Sequence, residues 1–453
     1  MGLLKKLPPR STRTGDATAV SRASKAVVAT PTVKGGKSVY ERISTIVAVV
    51  NTKLGKYKDK YELLRTVEDV RAYVDDIIKF GYGAIDTETS SLEPITTTIA
   101  GVCLYVPGRK ACYIPLNHVS YVTGVLTSNQ VPIPDMAAEL RRAEDAGVKW
   151  VFHNAKFDIR VCRNQLGVEL SAYWDTQLAG SCLNENESHK LKDLHLKYCD
   201  SQDNESLTYD KLFEGIPFTH IPITTAYLYA AGDAVKTWEL MEFQKKYLTE
   251  EKLPGPYYVF RHIEMPIIKV VADMEDRGIC LDLEFAKQLS DKYNAQMAER
   301  QKNIDEVLAM YSEEIADFRM RNSGTCLTDP VNVGSPKQLA VILYDILGLT
   351  SPDKEKPRGT GEDILLKLDT PLSKAILDYR ETQKLLSTYV DKMPAILNPK
   401  TGRIHCSFHQ YGAATGRFSS SSPNMQNIPS HNKEIRKMFR GRDGFVLISS
   451  DFS

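Results

Sequence analysis

Four carboxylates and a tyrosine fall in three short segments of this 453-residue chain. Asp86 and Glu88 stand two apart in IDTET (residues 85–89), Asp158 closes HNAKFD (153–158), and Tyr229 and Asp233 bracket YAAGD (229–233). An acid pair at spacing two is, alone, most often surface charge. On a strand, however, alternation turns Asp86 and Glu88 to one face. On a helix, a spacing of four does the same for Tyr229 and Asp233. Four converging carboxylates repel one another unless cations sit among them, and an oxygen-only donor set favours Mg²⁺ or Mn²⁺ over zinc. Two such ions, about 4 Å apart, hold a phosphodiester, activate a water and stabilise the leaving oxygen. The chemistry expected is two-metal phosphodiester hydrolysis, with Tyr229 orienting the attacking water.

The elements that must position these residues are legible in the hydrophobic pattern. Thr66 opens a helix whose apolar face is Val67, Val70, Val74, Ile77 and Ile78. A strand over residues 84–88 carries Asp86 and Glu88. Residues 99–106 and 111–116 form a hairpin pair across Pro107 and Gly108, and 148–152 is a buried strand leading to Asp158. Helices dominate from about residue 191. Residues 61–248 are thus expected to be an α/β domain with a mixed sheet. Residues 249–397 read as mainly helical, with a long helix over 284–311 and another outlined by Leu372, Ala375, Ile376, Tyr379, Gln383, Leu386 and Val390. Ser335 and Pro336 mark a further helix start. Short strands and turns are expected over 398–453, including a strand near 446–452.

Composition sets the remaining bounds. The first 40 residues carry eight Lys/Arg against one acid, while the whole chain is only +1, so the rest sums to −6. A nucleic-acid surface on the folded body must then be a local groove. Residues 1–60 are read as a basic, largely disordered tail and linker. The eight cysteines include no Cys-x-x-Cys pair and suit a reducing cytoplasm rather than staples or zinc. His189, His195 and Cys199 lack zinc-site spacing and are read as surface helix residues. No run of about 20 apolar residues is present, so no membrane association is expected.

The run 84–94 (AIDTETSSLEP), with HNAKFD and YAAGDA (229–234), resembles the three motifs of the proofreading 3′→5′ exonuclease in bacterial DNA polymerase I. That domain has a ribonuclease H-like fold. The resemblance implies that Asp86, Glu88 and Asp233 bind metal directly, and that Asp158 acts through metal-bound water. It also implies that Leu92 and Asn154 hold the splayed 3′-terminal nucleotides of a single strand. Glu264-Met265-Pro266, Arg277-Gly278-Ile279 and residues 332–339 (NVGSPKQL) are similar to the connector and thumb of a family A polymerase. GRIH (402–405) and TGRFSSSSPNMQNIP (415–429) are similar to the segment of its palm that lies beside the primer–template minor groove. Arg417, Gln426 and Asn427 match polar contacts to that duplex. Asp451 matches the first metal-binding aspartate of the palm.

The family's second catalytic aspartate has no counterpart among the 453 residues. The expectation is therefore an exonuclease site with two Mg²⁺ or Mn²⁺, complete in this chain, and an incomplete polymerase site. A second polypeptide carrying the missing motifs is the partner that a split enzyme would need. The lack of room for a 5′-nuclease domain suits a bacteriophage enzyme acting in its host's cytoplasm. Two alternatives compete: a stand-alone 3′→5′ exonuclease for DNA or RNA, and a non-catalytic DNA-binding subunit. Residues 415–429 argue against the first and the intact acids against the second.

Overall fold

The computed structural model describes residues 38–200, 212–213, 215–322, 324–413, 415–429 and 432–451. The tail expected over residues 1–37 lies outside them. Residues 39–60 are not the expected linker. Val39–Leu54 is a helix (α1), followed by a 3₁₀ turn over Gly55–Lys60. Ser38 caps α1 reciprocally: its Oγ accepts the Glu41 N–H at 3.2 Å, and Glu41 Oε2 accepts the Ser38 N–H at 2.9 Å. Ile43, Ile46 and Val50 fall on one face and are buried against the helix Ile223–Gln244 and one face of the sheet. Burying each contributes about 1.5–3 kcal/mol, enough to hold a segment that follows a polar stretch.

Six strands form one mixed sheet: β1 (Tyr61–Leu63), β2 (Tyr82–Thr89), β3 (Ile99–Tyr105), β4 (Ala111–Pro115), β5 (Lys149–Phe152) and β6 (Ala172–Asp175). Their order is β1-β4-β3-β2-β5-β6. Pairings β2–β3 and β3–β4 are antiparallel, while β1–β4, β2–β5 and β5–β6 are parallel. Helices α2 (Val67–Phe80) and α3 (Ile133–Asp145) cover one face, burying Val70, Tyr73, Val74, Ile77 and Leu140. Thr66 Oγ1 accepts the Asp69 N–H at 3.2 Å to start α2, and Gly81, at φ 80°, ends it. Then come α4 (Ala155–Val161), α5 (Thr176–Leu183), α6 (Leu191–Tyr198) and α7 (Ile223–Gln244). Helices α7 and α1 cover the other face. Strand β4 shows the division: Cys112 and Ile114 enter the first core, Ala111 and Tyr113 the second. A Cβ on Gly232 would lie 2.6 Å from Tyr61 Oη, so glycine there lets β1 close on α7 beside Asp233. His195, expected at the surface, is 4 % exposed, with Nε2 2.6 Å from Glu239 Oε2.

Beyond residue 248 the chain is mainly helical. Helix α8 (Met265–Arg277) leads through a short strand, β7 (Cys280–Leu281), to α9 (Leu283–Ala309). Two cores lie along α9. Leu289 and Tyr293 pack with Leu385, Tyr389 and Met438, whereas Ile304 and Leu308 pack with Leu339, Ile342 and Ile376. Helix α10 (Pro371–Leu385) borders both. Strands β8 (Ser407–His409) and β9 (Ser419–Ser421) pair antiparallel, and β10 (Phe439–Arg440) pairs with β7.

The expected strand over 446–452 is not formed by residues 446–451, which pair with no strand among the described residues. Val446, Leu447 and Ile448 are exposed. An apolar run becomes a strand only where a neighbour takes its hydrogen bonds. Among the described residues, no helix is long and apolar enough to cross a membrane.

Candidate active site

Strand β2 presents the acid pair. Asp86 pairs in register with Cys103 of β3, and Glu88 with Gly101. Residues opposite one another share a face. Cys103 is buried in the core under α7, so Asp86 and Glu88 face that helix and its Asp233. Asp158 comes from the first turn of α4. The preceding Asn154 adopts a left-handed conformation, φ 70°. Asp175 fixes that bend: its carboxylate accepts the N–H groups of Asn154 at 3.2 Å and Ala155 at 2.7 Å, and those of Gln177 and Leu178 at the start of α5. Asp158 is 2 % exposed, and its Oδ1 accepts both the Thr87 N–H at 3.0 Å and the Thr87 hydroxyl at 2.6 Å. The residue between the two β2 acids thus ties the third acid to them.

These carboxylates load one another with charge. Burial raises the proton affinity of Asp86 well above the ordinary carboxylate range, and Asp158, Glu88 and Asp233 add to it, with Lys192 opposing. Glu88 is pushed up to about 8, first by burial and then by Asp233. Asp158 is pushed up to about 7 by burial, against the two Thr87 hydrogen bonds. Lys192, on α6, sits 3.3 Å from Asp233 Oδ2 and 4.2 Å from the centre of the Tyr229 ring. Lys236 lies 3.7 Å from Asp233 Oδ1. Tyr229 is 6 % exposed and packs edge-on against Phe213.

The donor set suits a divalent cation in type. It is all oxygen, mutually repelling, and Asp233 Oδ1 is buried with no hydrogen-bond partner. Among the described residues, no three Asp, Glu, His or Cys side chains are drawn together as a ready-made cage. In this arrangement the positive charge at Asp233 comes from lysines. Sequence inspection missed Thr87, Lys192 and Lys236. Lys236, one helical turn after Asp233, was open to detection; the other two show only through the fold.

The remaining expected site residues fall into two groups. Leu92, 82 % exposed, and Asn154 line one cleft of about 140 Å³, together with Phe157, Gln177, Phe408 and Tyr411. Arg417, Gln426 and Asn427 are exposed around the β8–β9 pair, where Gln426 Nε2 donates to the Phe418 carbonyl at 2.8 Å. Asp451 is exposed in the irregular segment after β10.

Comparison with known proteins gives two family matches. The model described as 3′-5′ exonuclease covers residues 61–248, and that described as DNA polymerase family A covers residues 289–453. The chain is 32 % identical over 387 residues to DNA polymerase I of Chloroflexus aurantiacus, covering 82 % of this chain and 38 % of that protein. It is 34 % identical over 409 residues to DNA polymerase I of Synechocystis, covering 86 % and 38 % respectively. For DNA polymerase I of Pseudomonas aeruginosa the identity is 34 % over 393 residues, with 82 % and 39 % covered. The chain therefore spans about two fifths of the length of these curated relatives. Among solved structures, the POL domain of Pol1 from M. smegmatis, in complex with DNA primer-template and dNTP, shares the fold. The TM-score is 0.60 at 22 % identity, covering 83 % of this chain and 57 % of that one.

Proposed function

This chain belongs to the family A DNA polymerases, and from that premise we propose that residues 61–248 act as a proofreading 3′→5′ exonuclease on DNA. The observation that carries the reading is electrostatic. Segments about 70 residues apart place Asp158, Glu88 and Asp233 close enough to raise the proton affinity of Asp86, and Asp233 and Asp158 close enough to raise that of Glu88. A fold bears that repulsion where function uses it. Two Mg²⁺ or Mn²⁺ held by these four acids would supply charge neutralisation and Lewis acidity at the scissile phosphate. The chain's own groups do the rest. Tyr229 orients the attacking water through its hydroxyl. Asn154 and the exposed Leu92 hold the last nucleotides, Leu92 against a base face. The site takes a single strand, so a paired end must fray at a cost of about a few kcal/mol. A mismatched end frays more cheaply, which directs the hydrolysis to errors.

In this reading residues 249–397 are the connector and thumb, and 398–453 the start of the palm. Arg417, Gln426 and Asn427 grip the primer–template minor groove, and Asp451 is one carboxylate of the synthesis site. Templated synthesis belongs to the assembly that carries the rest of the palm and fingers, whether on this polypeptide or a second one. The test is direct. Purified chain with Mg²⁺ shortens 5′-labelled single-stranded DNA stepwise from the 3′ end, and Asp86→Ala abolishes this. An intact substrate, or equal digestion by Asp86→Ala, refutes the proposal.

A further inference from the structure

Helix α4 has two working faces. Asp158 meets Thr87, whereas Lys156 and Arg160, four residues apart, share the opposite face. Both close on one carboxylate of α8, 119 and 115 residues downstream: Lys156 Nζ lies 2.6 Å from Glu275 Oε1, and Arg160 Nη1 lies 2.5 Å from Glu275 Oε2. Arg160 Nε also donates to Asp276 Oδ1 at 2.7 Å. The Glu275 side chain is fully buried.

The same carboxylate reaches a third element. Glu275 Oε1 accepts the Phe408 N–H of β8 at 2.6 Å, and Lys156 donates to the Phe408 carbonyl. The Glu275 carbonyl accepts from His405 Nδ1 at 2.7 Å. Gly278, at φ 59°, permits this closeness, since a Cβ there would lie 2.6 Å from the Ile404 carbonyl oxygen.

A buried ion network is a poor source of stability compared with apolar packing, but it fixes direction. Helix α4 has seven residues and runs on through a π-helical turn over Cys162–Leu166, a length that is marginal without tertiary contacts. We infer that Glu275, which lies outside the exonuclease domain, is a positioning residue for the exonuclease: through Lys156 and Arg160 it holds α4 so that Asp158 keeps its place. The inference rests on the exonuclease reading.

The test uses the full chain and steady-state shortening of 5′-labelled single-stranded DNA. Glu275→Gln keeps the shape and removes the charge. Its kcat falls about tenfold or more, because a small displacement of a reacting group is costly, while KM for DNA stays within about twofold of wild type. Arg163→Ala is the matched control. It severs pairs to Asp276 and Asp273 at the same interface, and one to nearby Glu169, from the turn that follows α4, and leaves kcat within about twofold. Lys156→Met repeats the kcat loss, and decides the question if circular dichroism shows Glu275→Gln to be unfolded. An unchanged kcat in Glu275→Gln, a loss confined to KM, or an equal fall in Arg163→Ala overturns the inference. A wild-type chain that leaves DNA intact removes the functional reading and this inference together; an active wild type unmoved by Glu275→Gln removes this inference alone.

Discussion

Replacing Glu88 by glutamine should make the metal-free protein more stable at alkaline pH. In the unfolded chain this carboxyl ionises near 4.5; in the fold it is pushed up to about 8. Between those values the folded state holds the extra proton. Stability therefore falls as pH rises from about 4.5 to about 8 and is level above. Glutamine has no proton to lose, so the variant's advantage is absent below the window and full above it. At ~1.4 kcal/mol per tenfold change in proton affinity, the displacement sets a ceiling of about 5 kcal/mol. Glu88 is partly exposed, Lys192 offsets some of the repulsion, and the neighbouring acids relieve one another by protonating in turn. A gain of about 1–2 kcal/mol is expected, or roughly 2–6 °C in the melting of the exonuclease domain. Thermal melts with chelator from pH 5 to 9 measure it. Added Mg²⁺ should then raise the wild type more than the variant. A Glu88→Gln melting temperature at or below wild type at pH 9, without metal, refutes the electrostatic account of the site.

Thr87→Val removes the 2.6 Å hydroxyl bond to Asp158 and keeps the N–H. Losing a hydrogen bond to a charged group, worth about 1.5–3 kcal/mol, raises Asp158 further, so the acid limb of the exonuclease pH–rate profile should move up by about one unit; an unmoved limb counts against Asp158 acting as the ionised form. Ile46→Ala empties a site that is 3 % exposed and should cost about 2–4 kcal/mol, with faster amide exchange in α1; normal protection there would mean that α1 is not part of the cooperative fold. Arg417→Ala should weaken anisotropy-measured binding of primer–template duplex by about 1–3 kcal/mol and leave single-strand shortening unchanged, whereas an effect on shortening alone would place Arg417 with the wrong site.

Asp86, Glu88 and Asp233 were legible because they fall at short periods, two on β2 and four from Tyr229 on α7. The hairpin and α2 were legible for the same reason, an apolar alternation or stripe bounded by turn residues. Helix α1 carries an equally clear stripe in Ile43, Ile46 and Val50, but the polar, basic composition of the residues before it makes residues 39–60 read as linker. Thr87 escaped notice because its role is a hydroxyl and an N–H aimed at a residue 71 positions away. Lys192 and Glu275 escaped for the same reason: partners that distant leave no local pattern. The apolar run at 446–448 fits a strand by composition, yet composition names no partner for its hydrogen bonds, and the short strand β10 before it pairs with β7 instead.

The Glu275 joint bears on how freely such domains can be exchanged between relatives. Its cations arrive with residues 156–160 and its anion with residue 275, so an exonuclease domain grafted alone carries half of a contact. Set against a recipient lacking the acid, Lys156 and Arg160 would be sealed in the seam as uncompensated charges, at a cost of about 3–5 kcal/mol. A chimera that moves residues 39–277 as one block avoids this and keeps α1 on its face of the sheet. The inheritable module is then longer than the exonuclease match at both ends, by α1 and by α8, and compatible recipients are recognised by the strand that offers its N–H where Phe408 does.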